Sequence, residues 1–240
     1  MGRLLKTLSL LLAVAATLVV ALWWLAARST YQDETPPSQT LLRQSFQASA
    51  QWLVQHEAEI IQDGNPMLWR MVREAAIVSG GSGLQSLSQR YRSQWVDAVP
   101  SNGWAKLFDP VIERTSAGIH LGPLQDYQRL FAYGLSCDAI LGARPEIQRQ
   151  LTADACSPHL MSALHGDPPC VTHQLMGFML IREARCGDQR LINQAVALAH
   201  ERIQRELVFD FRVTDAYLQR VMMLYRTGAS SKIQPVWLNN

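Results

Sequence analysis

Two Cys-x-x-His units, Cys156-Ser157-Pro158-His159 and Cys170-Val171-Thr172-His173, stand close together in the chain with His165 between them. Thiolate and imidazole are the ligands that zinc prefers, and Cys2His2 is an accepted zinc set. Cys156, His159, Cys170 and His173 therefore form a candidate zinc or copper site. The usual finger groups Cys with Cys and His with His, whereas each unit here mixes the two. All four cysteines, Cys137, Cys156, Cys170 and Cys186, fall in this part of the chain. An even count outside the cytoplasm points to disulfides, so the expected state is two bridges and no cofactor. A nested pattern is preferred, Cys156–Cys170 inside Cys137–Cys186, because it ties an irregular loop at its base and joins two helix ends. Covalent haem is not expected, since no C-x-x-C-H occurs.

The segment from His159 to Gln174 is the best candidate for a functional surface. It holds three of the 6 histidines beside Pro168-Pro169. His165, Asp167 and His173 are the candidate catalytic residues, because imidazole and carboxylate together perform acid–base work near neutral pH. G-x-S-x-G, H-E-x-x-H and P-loop motifs are absent. Gly80-Gly81-Ser82-Gly83 follows a helix and not a strand, which argues against a phosphate cradle. A glycosidase-type carboxylate pair would draw on Asp63, Glu74, Asp109, Glu113 or Asp126, each also placed to be a cap or a solvated acid. Trp52, Trp69, Trp95 and Trp104 could stack on sugar rings, but their positions fit core packing.

The elements that must carry these residues read as helices. Leu42, Phe46, Ser49, Leu53, His56 and Ile60 recur at steps of four and three, predicting a first helix over Ser38–Gln62. Asp63-Gly64 stops it, and Asn65-Pro66 restarts the chain as an N-cap and first-turn proline. Met67, Leu68, Met71, Val72 and Ala75 form a second face, and Leu84, Leu87, Tyr91 and Trp95 a third. The stretch 97–120 is irregular. Helices follow from Pro123, from Pro145, over Val171–Arg185, through Leu191, Ile192, Ala195, Leu198, Ala199, Ile203 and Leu207, and from Asp215 to Gly228. Val208–Val213 alternates like a strand, but with no partner it reads as extended linker. The expectation is an all-α domain of about eight helices.

Three helix junctions are built alike, namely Val78-Ser79-Gly80-Gly81-Ser82-Gly83-Leu84, Arg185-Cys186-Gly187-Asp188-Gln189-Arg190-Leu191 and Arg226-Thr227-Gly228-Ala229. Each offers glycine where a left-handed C-cap is wanted. With Ser49-Ala50-Gln51-Trp52-Leu53 and Asp63-Gly64-Asn65-Pro66, this junction pattern resembles the helical hairpins of α/α-toroid proteins, which include glycan-active enzymes and the terpene-cyclase-like group. The resemblance implies paired helices around a cleft. It matches no catalytic motif and so assigns no residue a role.

Ahead of this domain, Leu8–Ala27 runs without a charge. At ~1.5 Å per residue it matches the thickness of a bilayer core. Trp23 and Trp24 sit near its far end, where indoles favour the headgroup zone. A cleaved signal peptide is the competing reading, but Leu25 occupies the −3 position before a cut after Ala27. Arg3 and Lys6 precede the span and Arg28 follows it, which favours N-in insertion. The expected organisation is tail and anchor over 1–28, a Pro-containing linker over 29–40, an extracytoplasmic helical domain over 41–228 and a polar tail over 229–240.

The formal net charge is +2. Three of the 22 Lys+Arg are Arg3, Lys6 and Arg28, and the remaining 19 face 20 Asp+Glu. That balance excludes the basic footprint of a nucleic-acid binder, and no basic amphipathic helix is present to hold a membrane surface. The leading expectation is a single-pass inner-membrane (signal-anchor) protein with a periplasmic or other extracytoplasmic domain, serving as an interaction or assembly component of an envelope system with a protein partner. The alternatives are an envelope enzyme acting on a glycan or small molecule in a helical-toroid cleft, and a metal-binding protein using the Cys/His window.

Overall fold

The computed structural model describes residues 2–29, 35–99, 101–112, 119–151, 170–209 and 213–239. The fold is all-α, and no strand occurs among the described residues. The chain forms two compact units. One comprises Ser38–Ser157 with His173–Ala199, and the other Met1–Pro37, Pro158–Thr172 and His200–Asn240.

The larger unit begins with α2 (Gln39–Gln55), capped by the Ser38 hydroxyl, which accepts from the Leu41 amide at 3.2 Å. The helix expected to reach Gln62 breaks at His56, whose φ of −101° and ψ of 20° leave the helical region. Its ring Nδ1 lies 2.9 Å from the Trp52 carbonyl, which also accepts from the His56 amide at 3.0 Å. A short α3 (Glu57–Ile60) completes the expected span. Next, α4 (Pro66–Ser79) starts as read from the sequence, with Asn65 accepting from the Met67 amide at 3.0 Å ahead of Pro66. It ends at Gly80, where φ is +65° and a side chain would be strained.

Helix α5 (Ser82–Tyr91) packs on α4 and α2 and continues as a π-helical turn over Arg92–Asp97. Its start must come close to α2: a Cβ on Gly83 would lie 2.8 Å from Val54 Cγ2. Trp69 stacks on Tyr91 with ring centroids 4.8 Å apart, and Tyr91 meets Phe108 of α6 (Ala105–Phe108) at 5.0 Å. With Val72, Leu84, Leu87 and Val96 these rings form one buried cluster. Each fully buried large side chain contributes about 1.5–3 kcal/mol.

A second packed region joins α7 (Asp126–Ser136), α8 (Ala139–Gly142), α9 (Pro145–Gln150) and α10 (Cys170–Ala184). Leu130, Ile147, Leu175, Phe178 and Ile181 are buried there. Gly134 of α7 lies against the α10 backbone, and Gly177 of α10 against Leu130. Arg70, 5% exposed, ties α4 to α10: its Nε donates to Glu74 at 2.8 Å and its Nη2 to both oxygens of Glu183 at 2.8 and 2.9 Å. The expected Cys137–Cys186 disulfide closes the C-terminal ends of α7 and α10.

In the smaller unit, α1 (Gly2–Ser29) is the one helix among those described that is long and apolar enough to cross a membrane, over Lys6–Trp24. The end of α11 (Gln189–Phe209) contributes buried Ile203 and Leu207. In α12 (Asp215–Arg226), Thr214 is the N-cap and Arg220 Nε donates to Glu206 at 2.7 Å. His200 Nε2 lies 2.7 Å from the Thr227 hydroxyl, which itself donates to the Met223 carbonyl. The chain ends with a 3-10 turn, Ser230–Lys232, and α13 (Val236–Asn239). The Asn239 side-chain amide donates to the Thr35 carbonyl at 3.1 Å.

Candidate functional site

Of the residues that the sequence marks for chemistry, Cys156, His159, His165, Asp167 and Glu113 lie outside the described residues. Cys170 opens α10. His173, in the first turn of α10, is half-buried and tilted against Tyr127 with ring centroids 4.4 Å apart. Gln174 is buried and donates to the Gln150 carbonyl, so it serves packing and not a surface. The Cys156–Cys170 pairing and the zinc or copper site both depend on Cys156. Among the described residues, no three His, Cys, Asp or Glu side chains are grouped to hold a metal ion.

The candidate carboxylates take local roles. Asp63 accepts from the Asn65 amide at 2.9 Å, and Glu74 is held by Arg70. Asp109 is buried and pairs with Arg73 at 3.0 Å and Arg92 at 3.6 Å. Asp126 stands 3.7 Å from Arg129. The tryptophans divide. Trp69 is core and its Nε1 donates to the Asp63 carbonyl at 2.7 Å. Trp95 is half-buried and donates to the Ile61 carbonyl at 3.0 Å. Trp104 is half-buried. Trp52 remains 50% exposed, with its ring stacked on His56.

A cleft of about 680 Å³ in the larger unit supplies a different candidate. It lies between α2 and the junction joining α4 to α5. On α2, the residues Arg43, Gln47, Gln51 and Gln55 stand four apart and share one row of the helix. Phe46, Ala50 and Val54 form the adjacent row. The facing wall carries Val78, Ser79, Gly81, Gly83 and Leu84. Val78 is 89% exposed and Phe46 40% exposed, so apolar surface is left in the open.

Helix propensity and a charge-poor sequence produce this surface. Over Gln39–Gln55 the only charge is Arg43, and Ile77–Gln89 carries none. No residue of α2 is buried, although half of the helix is apolar or small. The glycine-rich junction adds little side chain of its own, which keeps the cleft open. Periodicity assigns Leu42, Phe46 and Leu53 to a core face; in the structure Leu42 and Phe46 are exposed, and Leu53 is half-buried. The signal that marks the cleft is the coincidence of a polar row and an apolar row at the same four-residue spacing.

No family model, curated protein or solved structure matches the chain.

Proposed function

We propose that the chain is a single-pass, N-in membrane protein whose helical domain faces the extracytoplasmic side and serves as an interaction or assembly component of an envelope system. One observation carries the reading: a helix apolar enough to span a bilayer, with its side chains over Lys6–Trp24 exposed, precedes a helical unit that presents an open apolar cleft. Contiguous apolar surface rimmed by polar groups marks sites of protein association. Arg3 and Lys6 before the span support the orientation. The Cys137–Cys186 disulfide fits an oxidising compartment.

The test has two arms. A reporter active only outside the cytoplasm, fused after Asn240, gives activity, and the protein stays with membranes through an alkaline wash. Affinity purification of the intact chain from membranes then retains a protein partner. Activity of a cytoplasmic reporter at the same site reverses the orientation. Release of a shortened chain by the wash identifies a cleaved signal, and purification of the chain alone removes the assembly role.

A further inference from the structure

The cleft on α2 has a period, and the period selects an occupant. Residues four apart on a helix are ~6 Å apart along its axis. In an extended chain, groups pointing the same way recur every second residue, at ~6.6–6.8 Å. The Gln47, Gln51 and Gln55 side chains thus repeat along α2 at close to the spacing of an extended peptide's backbone. Each amide offers a donor and an acceptor, the complement of a backbone carbonyl and N–H. None of the three forms a side-chain hydrogen bond with the described residues. A helical occupant satisfies its own backbone and leaves this row unused. A lipid chain has no polar backbone to offer it.

The neighbouring row and the facing wall add the second half of the fit. Phe46, Ala50 and Val54 with Val78 and Leu84 form an apolar floor that takes every second side chain of an extended segment. The row begins with Arg43, which has no ion-pair partner among the described residues and is the only charge on either wall. A guanidinium at the end of an uncharged groove selects a carboxylate. From Arg43 to Gln55 the row is ~18 Å long, about five or six extended residues.

We propose that this cleft binds an extended segment of a partner protein, with apolar residues at alternate positions and a carboxylate that meets Arg43. The assignment rests on the partner-binding reading above and adds the chemistry of the partner. The test uses the full-length chain in phosphatidylcholine nanodiscs, panned against a random dodecapeptide library displayed on phage. The enriched peptides alternate apolar and polar residues and carry an acid. Arg43→Glu weakens them tenfold or more, and replacing the peptide's acid with lysine restores binding to that variant. Gln51→Ala weakens them roughly threefold to tenfold, the loss of one or two hydrogen bonds. Unchanged melting temperatures show that both variants are folded.

No enrichment, apolar spacing at a helical period, or binding indifferent to both substitutions overturns the proposal. So does displacement of the peptides by empty phosphatidylcholine–phosphatidylglycerol vesicles, which makes this a lipid-covered face. The broader reading fails separately. Cleft-dependent peptide binding without any co-purifying partner removes the assembly role alone. A partner retained in full by the Arg43→Glu chain removes the cleft assignment alone.

Discussion

Gly134→Ala sets two effects of opposite sign against each other. Gly134 lies inside α7, where alanine is favoured over glycine by about 1 kcal/mol through backbone entropy. If α7 stood alone, the substitution would stabilise it. In the packed unit, however, the new Cβ would stand 2.8 Å from Leu180 Cβ, 3.1 Å from the Ile181 amide nitrogen and 3.2 Å from the Leu180 carbonyl carbon. Carbon atoms rest at about 3.5–4.0 Å, so α7 and α10 must part by most of an ångström. Two of the three opposing atoms are backbone, so no rotamer change relieves the overlap. Nearby Cys137–Cys186 also limits how far the helix ends separate. Overpacking costs about 1–3 kcal/mol and occasionally more. The rigid neighbours place this case at the upper end. Set against the propensity gain, the expected net loss is ~2 kcal/mol, a fall of roughly 4–8 °C in melting temperature for a chain of this size. Thermal unfolding of the full chain in detergent, followed by near-ultraviolet circular dichroism, measures it. A melting temperature equal to or above that of the parent would refute the close α7–α10 crossing.

Three further outcomes follow from the packing. Glu183→Ala leaves the Arg70 Nη2 without its carboxylate; a broken buried pair costs about 3–5 kcal/mol, and the 40% exposure of Glu183 reduces this to ~2 kcal/mol. Urea titration reads the loss, and a neutral variant would show that water replaces the pair. Without reductant, tryptic mapping links the Cys137 and Cys186 peptides, and the double serine variant loses about 2–5 kcal/mol; two free thiols at these positions would contradict the closure of α7 on α10. Ile203→Ala, at 0% exposure, costs about 2–5 kcal/mol, whereas Leu198→Ala, at 43%, changes stability by less than about 1 kcal/mol; equal losses in thermal melts would misplace the buried face of α11.

The helices were legible where periodicity and caps agreed. Asn65-Pro66 and Gly80 bound α4 as the sequence indicated, because the N-cap oxygen and the left-handed C-cap act within one turn of chain. Gly187 and Gly228 also take positive φ, but the turn after α10 begins two residues before Gly187, at Arg185 with φ of +56°. A non-glycine residue there gives no compositional signal. Ile192, Ala195, Ala199, Ile203 and Leu207 are buried as the spacing implies, while Leu191 and Leu198 from the same pattern are exposed. A helical stripe of that width exceeds what one neighbour covers, and sequence cannot say which edge is left out. The break at His56, where φ is −101° and ψ 20°, leaves no mark on the periodicity, which runs on to Ile60. The cleft was illegible for a related reason. Glutamines four apart read as an ordinary solvated face until the facing wall supplies a second side, and that wall comes from an α4–α5 junction far along the chain.

The bond from Asn239 to Thr35 joins the last described residue to a point six residues beyond the end of α1. Its two partners stand 204 residues apart in the chain. At ~5–20 residues per second, the roughly forty residues after Ala199 take about 2–8 s to synthesise. Every segment of the larger unit is already present when that interval begins, while the smaller unit lacks its C-terminal segment until the interval ends. A ribosome stalled within that interval would leave a tethered chain whose larger unit is complete in sequence and whose smaller unit lacks part of His200–Asn240.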